Sequence, residues 1–211
     1  MSACNIFTQG GAAYLLTDGA RYDLDGAVAE IASKVVAVPR LHMALAFTGA
    51  WWTGQFDQWA KMFNHSADFI AHLPEMAERA KQHWNAENAT DIYDFQVFVA
   101  SYDCDKGAPA LHVYSTNDGG NGQHRPGSHA VRAMVTPATA TGPRAGDLLD
   151  SATFDIERDA MRLLEAQRAV LWPGGYRAVG GFVELTRVDR FGVKSRVLHR
   201  WPDEIGRNIE G

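Results

Sequence analysis

Three early runs of this chain, residues 12–17, 34–38 and 41–47, are apolar almost end to end rather than alternating apolar with polar. A strand wetted on one face alternates, whereas one covered on both faces does not need to. Each run is short and bounded by turn residues. Gln9-Gly10-Gly11 precedes the first, Asp18-Gly19 closes it, and Pro39-Arg40 separates the other two. Apolar runs this short fit strands covered on both faces, as in stacked sheets with helices outside, although periodicity alone does not separate helix from strand at this length.

The period changes after Trp52. Phe56, Trp59 and Phe63, with Met62 beside them, recur at helical spacing. Phe69, Ile70, Leu73, Met76 and Ala77 do so again up to about Trp84, with Pro74 read as a kink or a late helix start. Strand character returns at 95–100 and 110–114, joined by the turn-rich 103–107, and 117–128 reads as a Gly-rich polar loop. A second helical pair is expected, a short member near 147–151 and a longer one over 155–171. In the longer one Ile156, Ala160, Leu163, Leu164 and Leu171 form one stripe, interrupted by Gln167. Gly180-Gly181 opens a strand at 182–188, and 193–201 completes a hairpin. Helices inserted in pairs argue for an α+β arrangement in one domain spanning 1–211, not for one-by-one βαβ winding.

Composition limits the function classes. The 211 residues are 46% hydrophobic and 21% charged, enough to bury a core without disulfides or a metal. A net charge of −5 opposes a sequence-independent grip on nucleic acid and, less strongly, binding to anionic membranes. Six Trp, ten Phe and six Tyr oppose disorder. Cys4 and Cys104 form no framework and read as free thiols of a reducing compartment. No apolar run approaches the roughly 20 residues that cross a bilayer. The opening MSACNIFTQGG lacks the basic head and apolar stretch of a secretion signal, so a soluble, cytoplasmic protein is expected.

The chemistry gathers at Ser2, Asp18 and Lys34, which fall at two equal intervals of sixteen residues. Ser2 follows an initiator Met whose removal a small second residue permits. Removal would leave one residue carrying both a hydroxyl and a free α-amine. With an ordinary pKa of about 7.7–8.0, that amine is partly neutral near neutral pH and can accept the hydroxyl proton. Lys34, at the start of a buried run, would hold the amine neutral and favour a developing alkoxide. Asp18 would keep that ammonium charged, since an unpaired charge beside a core is costly.

The stretch from Ser2 to Ala50 resembles the opening of proteasome β-type subunits and of the bacterial proteasome-like peptidase, where a Thr, an Asp and a Lys stand at the same spacings. Ser2, Asp18-Gly19 and Lys34-Val35-Val36 occupy those places, and the 46–50 segment resembles the Gly-containing turn that supplies an oxyanion-hole N–H, from Thr48 or Gly49. Leu149-Asp150, the helix from Asp155 to Ala169 and Gly180-Gly181-Phe182 resemble later parts of the family. The resemblance implies a four-layer αββα sandwich of two stacked, mainly antiparallel sheets between helical layers. It implies a proteasome-like N-terminal-nucleophile peptidase needing no cofactor and no metal. It also implies a homo-oligomer or ring, an unfoldase as a possible partner, and no nucleic acid or membrane partner. Two features depart from the family. Serine replaces threonine, and Tyr176 and Val179 stand where an Asp and a Ser usually support the N-terminal residue; Thr139 or Thr141 is the remaining candidate hydroxyl. A catalytically silent subunit with an assembly role is therefore the alternative, and a small-molecule amidohydrolase the second alternative.

Other groups have plainer readings. Cys4 is a rival nucleophile only if Met-Ser-Ala is removed. His124 and His129 are a weak metal pair, and Asp103-Cys104-Asp105 reads as a hairpin turn rather than half a calcium loop. Trp51, Trp52, Phe56 and Trp59 read as core or subunit contact.

Overall fold

A computed structural model describes residues 2–23, 25–49, 53–88, 95–116, 126–136, 153–172 and 174–210. Its first hairpin is set by two glycines. Strand β1 (Cys4–Gln9) and strand β2 (Ala12–Asp18) are joined by Gly10 and Gly11, both at positive φ (57° and 75°). A two-residue turn with both residues in that region matches the right-handed twist of paired strands. It also fixes the register from Gln9 opposite Ala12 to Cys4 opposite Thr17.

Four further strands extend or follow from this hairpin: β3 (Ala20–Tyr22), β4 (Val28–Ile31), β5 (Val35–Val38) and β6 (Met43–Gly49). Helices α1 (Thr53–Ala60) and α2 (Ser66–Asn88) come next, then strands β7 (Phe95–Asp103), β8 (Ala108–Ser115), β9 (Gly127–Ala130) and β10 (Ala133–Thr136). Helix α3 (Ile156–Arg168) precedes the hairpin β11 (Phe182–Asp189) and β12 (Gly192–Arg200). One five-stranded sheet has the order β10-β1-β2-β11-β12, the other β5-β6-β7-β8-β9, and β3-β4 form a small third sheet. The described pairings are antiparallel.

Apolar runs do have cover on both faces. Ile6, Ala13, Leu15, Ala44, Ala46, Phe98 and Val113 meet between the two large sheets. On the far face of the first sheet, Phe7, Tyr14 and Leu16 pack against Ile156, Ala160, Leu163 and Leu164 of α3. On the far face of the second, Met43, Leu45, Val97 and Val99 meet Phe56 of α1 and Phe69, Leu73 and Met76 of α2. Leu15 and Leu16, pointing to opposite faces of one strand, each contribute about 1.5–3 kcal/mol by burial.

The expected four-layer αββα sandwich is corrected. Among the described residues the structure is mostly antiparallel β, 44% strand against 25% helix, with three sheets and three helices. Strand pairing reaches segments where the sequence pattern predicts no strand, at β3, β4, β9 and β10; β9 takes in the last two residues of the 117–128 segment read as a loop. Among the described residues α3 is the helix packed on the far face of the first sheet, so the fold is β-rich with helices applied to it. The short helix expected near 147–151 lies outside the described residues. Pro74 neither starts nor ends a helix; it sits inside α2. Leu171, expected on the α3 stripe, lies beyond the helix end and is exposed. No helix among the described residues is long and apolar enough to cross a membrane.

Candidate active site

The turn at Gly10-Gly11 delivers the first half of the site. Continuing the register past Cys4 and Thr17 brings Ala3 opposite Asp18, the last residue of β2. The Asp18 N–H donates to the Ala3 carbonyl at 3.3 Å, and the Ala3 N–H returns a bond to Asp18 Oδ1 at 2.8 Å. Lys34, the residue before β5, donates from Nζ to the same Oδ1 at 2.5 Å. The second carboxylate oxygen, Oδ2, accepts from the N–H groups of Gly180 at 3.0 Å and Ala20 at 3.2 Å. Asp18 is fully buried and Lys34 is 5% exposed. Four donors surround one carboxylate, the arrangement that a buried charge requires.

Gly180 can come so close because Gly19 and Gly181 lack side chains. A Cβ on Gly19 would lie 2.4 Å from the Phe182 ring. Gly181 has φ +74°, and its Cβ would lie 3.0 Å from the Ala20 nitrogen. The Gly180 carbonyl accepts from the N–H groups of Gly19 and Ala20, which locks this crossing to the end of β2.

Burial pulls the Lys34 ammonium below its ordinary range, and the charge and hydrogen bond of Asp18 oppose that pull. Burial also pushes the Cys4 thiol well above its ordinary value of 9.0, with Lys34 drawing it down and Asp18 driving it up. Cys4 is therefore a protonated, inaccessible thiol, not the nucleophile. Above 9.0 the unfolded thiol ionises while the folded one does not, so the contribution of Cys4 is whole below that pH and is lost as pH rises through its folded value. The stability advantage of wild type over Cys4→Ala should shrink between about pH 8 and about pH 10 in urea titrations, and an advantage that stays constant would refute this.

Thr48 and Gly49 close β6, whose antiparallel pairing with β5 sets Val35 opposite Ala46. That register brings the end of β6 alongside Lys34. Gly49 is exposed at φ +89°, whereas Thr48 is buried and its hydroxyl donates to Gln96 Oε1 at 3.2 Å. Ser2, half-buried, adjoins Ala3 and so stands next to the carboxylate that holds Lys34. Thr139, Thr141, Trp51, Trp52 and His124 lie outside the described residues. Val179 is buried against α3, and the Tyr176 ring packs on Tyr22 with centroids 5.5 Å apart. Asp103 makes the expected turn, its Oδ1 accepting from the N–H groups of Asp105 and Lys106. Phe56 and Trp59 belong to the α1–α2 core.

Three elements around the site escaped the sequence reading. Ser33 donates to the nearly buried Glu184 at 2.6 Å, fixing the residue before Lys34 to β11. Asn5 and Gln167 exchange a pair of amide hydrogen bonds, each 2.9 Å, tying β1 to α3. Arg168 and Asp203 form a second buried ion pair. Only Gln167 had left a signal, as the polar break in an apolar stripe. No protein-family model matches the chain, and no curated protein matches it.

Proposed function

We propose that this chain hydrolyses peptide or amide bonds as an N-terminal-nucleophile enzyme of proteasome-like type, with Ser2 as the nucleophile once Met1 is removed. The observation that carries the reading is the sharing of Asp18 Oδ1 between the Ala3 N–H and Lys34 Nζ. It ties the backbone beside Ser2 to a buried ammonium. In the proposed reaction the α-amine of Ser2 takes the proton from its own Oγ as that oxygen attacks the carbonyl carbon. The tetrahedral oxyanion is held by a backbone N–H at Thr48 or Gly49. Collapse breaks the C–N bond, and the α-ammonium gives its proton to the departing amine. Water then hydrolyses the resulting ester, with the same amine as base. The ammonium of Lys34 keeps the α-amine neutral and stabilises charge building on Oγ. The reading includes a homo-oligomeric or ring assembly, an unfoldase as a possible partner and a cytoplasmic setting.

The test is an intact-mass measurement followed by labelling with an electrophilic β-lactone. A mass lacking Met1, with labelling of wild type and none of Ser2→Ala, is expected. Retained Met1, or a wild type that never labels, points to the second reading, a catalytically silent assembly subunit. That reading is favoured by one observation: Val179 and Tyr176 are engaged in packing rather than in supporting residue 2. Rates on peptides against simple amides separate a peptidase from a small-molecule amidohydrolase.

A further inference from the structure

Residues 201–210 leave β12 and fold back toward the site. The Val28 N–H donates to the Arg207 carbonyl, the Gly206 N–H donates to the Val28 carbonyl, and Asn208 bridges to Ala27. Ile209 is buried with Ala20 and Val28. Within this segment Asp203 meets Arg168, the last residue of α3, through a two-pronged contact, Nη1 to Oδ2 at 2.8 Å and Nη2 to Oδ1 at 2.7 Å. Both side chains are buried.

The partners of this pair flank one stretch of backbone. Asp203 Oδ2 accepts from the Gly181 N–H at 2.7 Å, and Arg168 Nη1 donates to the Val179 carbonyl at 3.0 Å. Gly180, the residue between them, donates to Asp18 Oδ2. Arg168 Nη2 also donates to the Glu210 carbonyl, and its guanidinium lies 4.7 Å from the Trp201 ring centre. Val179 to Gly181 is thus clamped on both sides by one ion pair, and its central N–H orients the carboxylate that holds Lys34.

We infer that Arg168 and Asp203 are positioning residues for the Asp18–Lys34 pair: segment 201–210 is a strap that, through this ion pair, fixes the Gly180 N–H and with it the aim of the Asp18 carboxylate. The effect on turnover rests on the hydrolase reading above; the effect on the pair itself does not. A carboxylate held by four fixed donors has one position, and loosening one of them lets it turn away from Lys34. An exposed ion pair such as Arg196 with Glu157 has no such consequence and serves as the control.

The test uses Asp203→Asn in the full chain, with Glu157→Gln as the control. The titration of Lys34 Nζ is followed by NMR in selectively labelled protein. Asp18, Arg21 and Cys4 are the charged or titratable groups that act on Lys34. With Asp18 no longer aimed at it, the still-buried ammonium loses its proton at lower pH. A Lys34 midpoint that falls in Asp203→Asn but not in Glu157→Gln is expected; a midpoint unchanged or raised overturns the inference. If Asp203→Asn does not fold, Arg168→Lys gives the same readout, because it keeps the charge and loses the two-pronged contact. Where wild type turns over substrate, kcat should fall about ten-fold or more in Asp203→Asn with KM little changed. A wild type without turnover counts against the hydrolase reading alone, since the Lys34 midpoint still decides the role of the strap.

Discussion

Asp18→Ala should lower the unfolding free energy by about 3–5 kcal/mol near neutral pH, the cost of breaking a buried ion pair from one side. The size follows from what the substitution strands. Lys34 is left as a buried ammonium without its carboxylate, and the N–H groups of Ala3, Ala20 and Gly180 lose their acceptor. Urea titration measures the loss. The double variant Asp18→Ala with Lys34→Met should be more stable than Asp18→Ala alone, because it removes the stranded charge while the backbone donors stay unsatisfied. In Asp18→Ala the folded Lys34 loses the two contributions from Asp18 that opposed its burial, so its pKa drops further below the ordinary 10.5. Between the folded value and 10.5 the unfolded chain binds more protons, so stability rises with pH across that window. The deficit of Asp18→Ala should therefore be smaller at alkaline than at neutral pH. A deficit under about 1 kcal/mol at neutral pH would mean that the pair is solvated and contributes as a surface bridge does.

That Asp18 stands beside the backbone next to Ser2 has a mechanical cause legible in the sequence. Ser2 and Asp18 are equidistant from the Gly10-Gly11 turn to within one residue, so a two-residue hairpin must set the end of β2 beside the backbone of residue 3. The apolar runs were legible for a related reason. Leu15 and Leu16 both had to be buried, and only stacked and covered sheets bury neighbours on a strand. What failed to show were features with no period. β3 and β4 pair through polar residues such as Arg21 and Glu30, a half-buried ion pair, and carry no apolar period. β9 and β10 are four residues each, too short to display alternation. These strands are why the layered αββα expectation gave way to a β-rich fold. Arg168 and Asp203 are 35 residues apart in sequence and meet only because α3 and segment 201–210 converge on the Gly180-Gly181 crossing. Leu171 misled for the same reason. The helical stripe predicted its burial, but α3 ends at Arg168, whose side chain turns into the strap.

Lys34→Met should leave the fold largely intact and lower kcat/KM by about 10²–10⁴-fold, the range for removing a charge-stabilising or proton-transfer group. Methionine fills much of the lysine stem, and Asp18 keeps three backbone donors, so the carboxylate is not stranded as the ammonium is in Asp18→Ala. Chemistry and stability therefore part company between the two variants. The pH profile identifies the role. An ammonium beside the Ser2 α-amine disfavours protonation of that amine, so its loss raises the pKa of the amine toward about 7.7–8.0. The acidic limb of kcat/KM should move to higher pH in Lys34→Met, so that raising the pH restores part of the lost rate. Lys34→Arg, which keeps the charge but not the compact geometry, should retain the wild-type limb at a lower plateau. A Lys34→Met enzyme with an unshifted limb would show that Lys34 does not act on the α-amine. A Lys34→Met enzyme with undiminished turnover would remove Lys34 from the reaction and leave the pair with Asp18 as a structural bond at the end of β2.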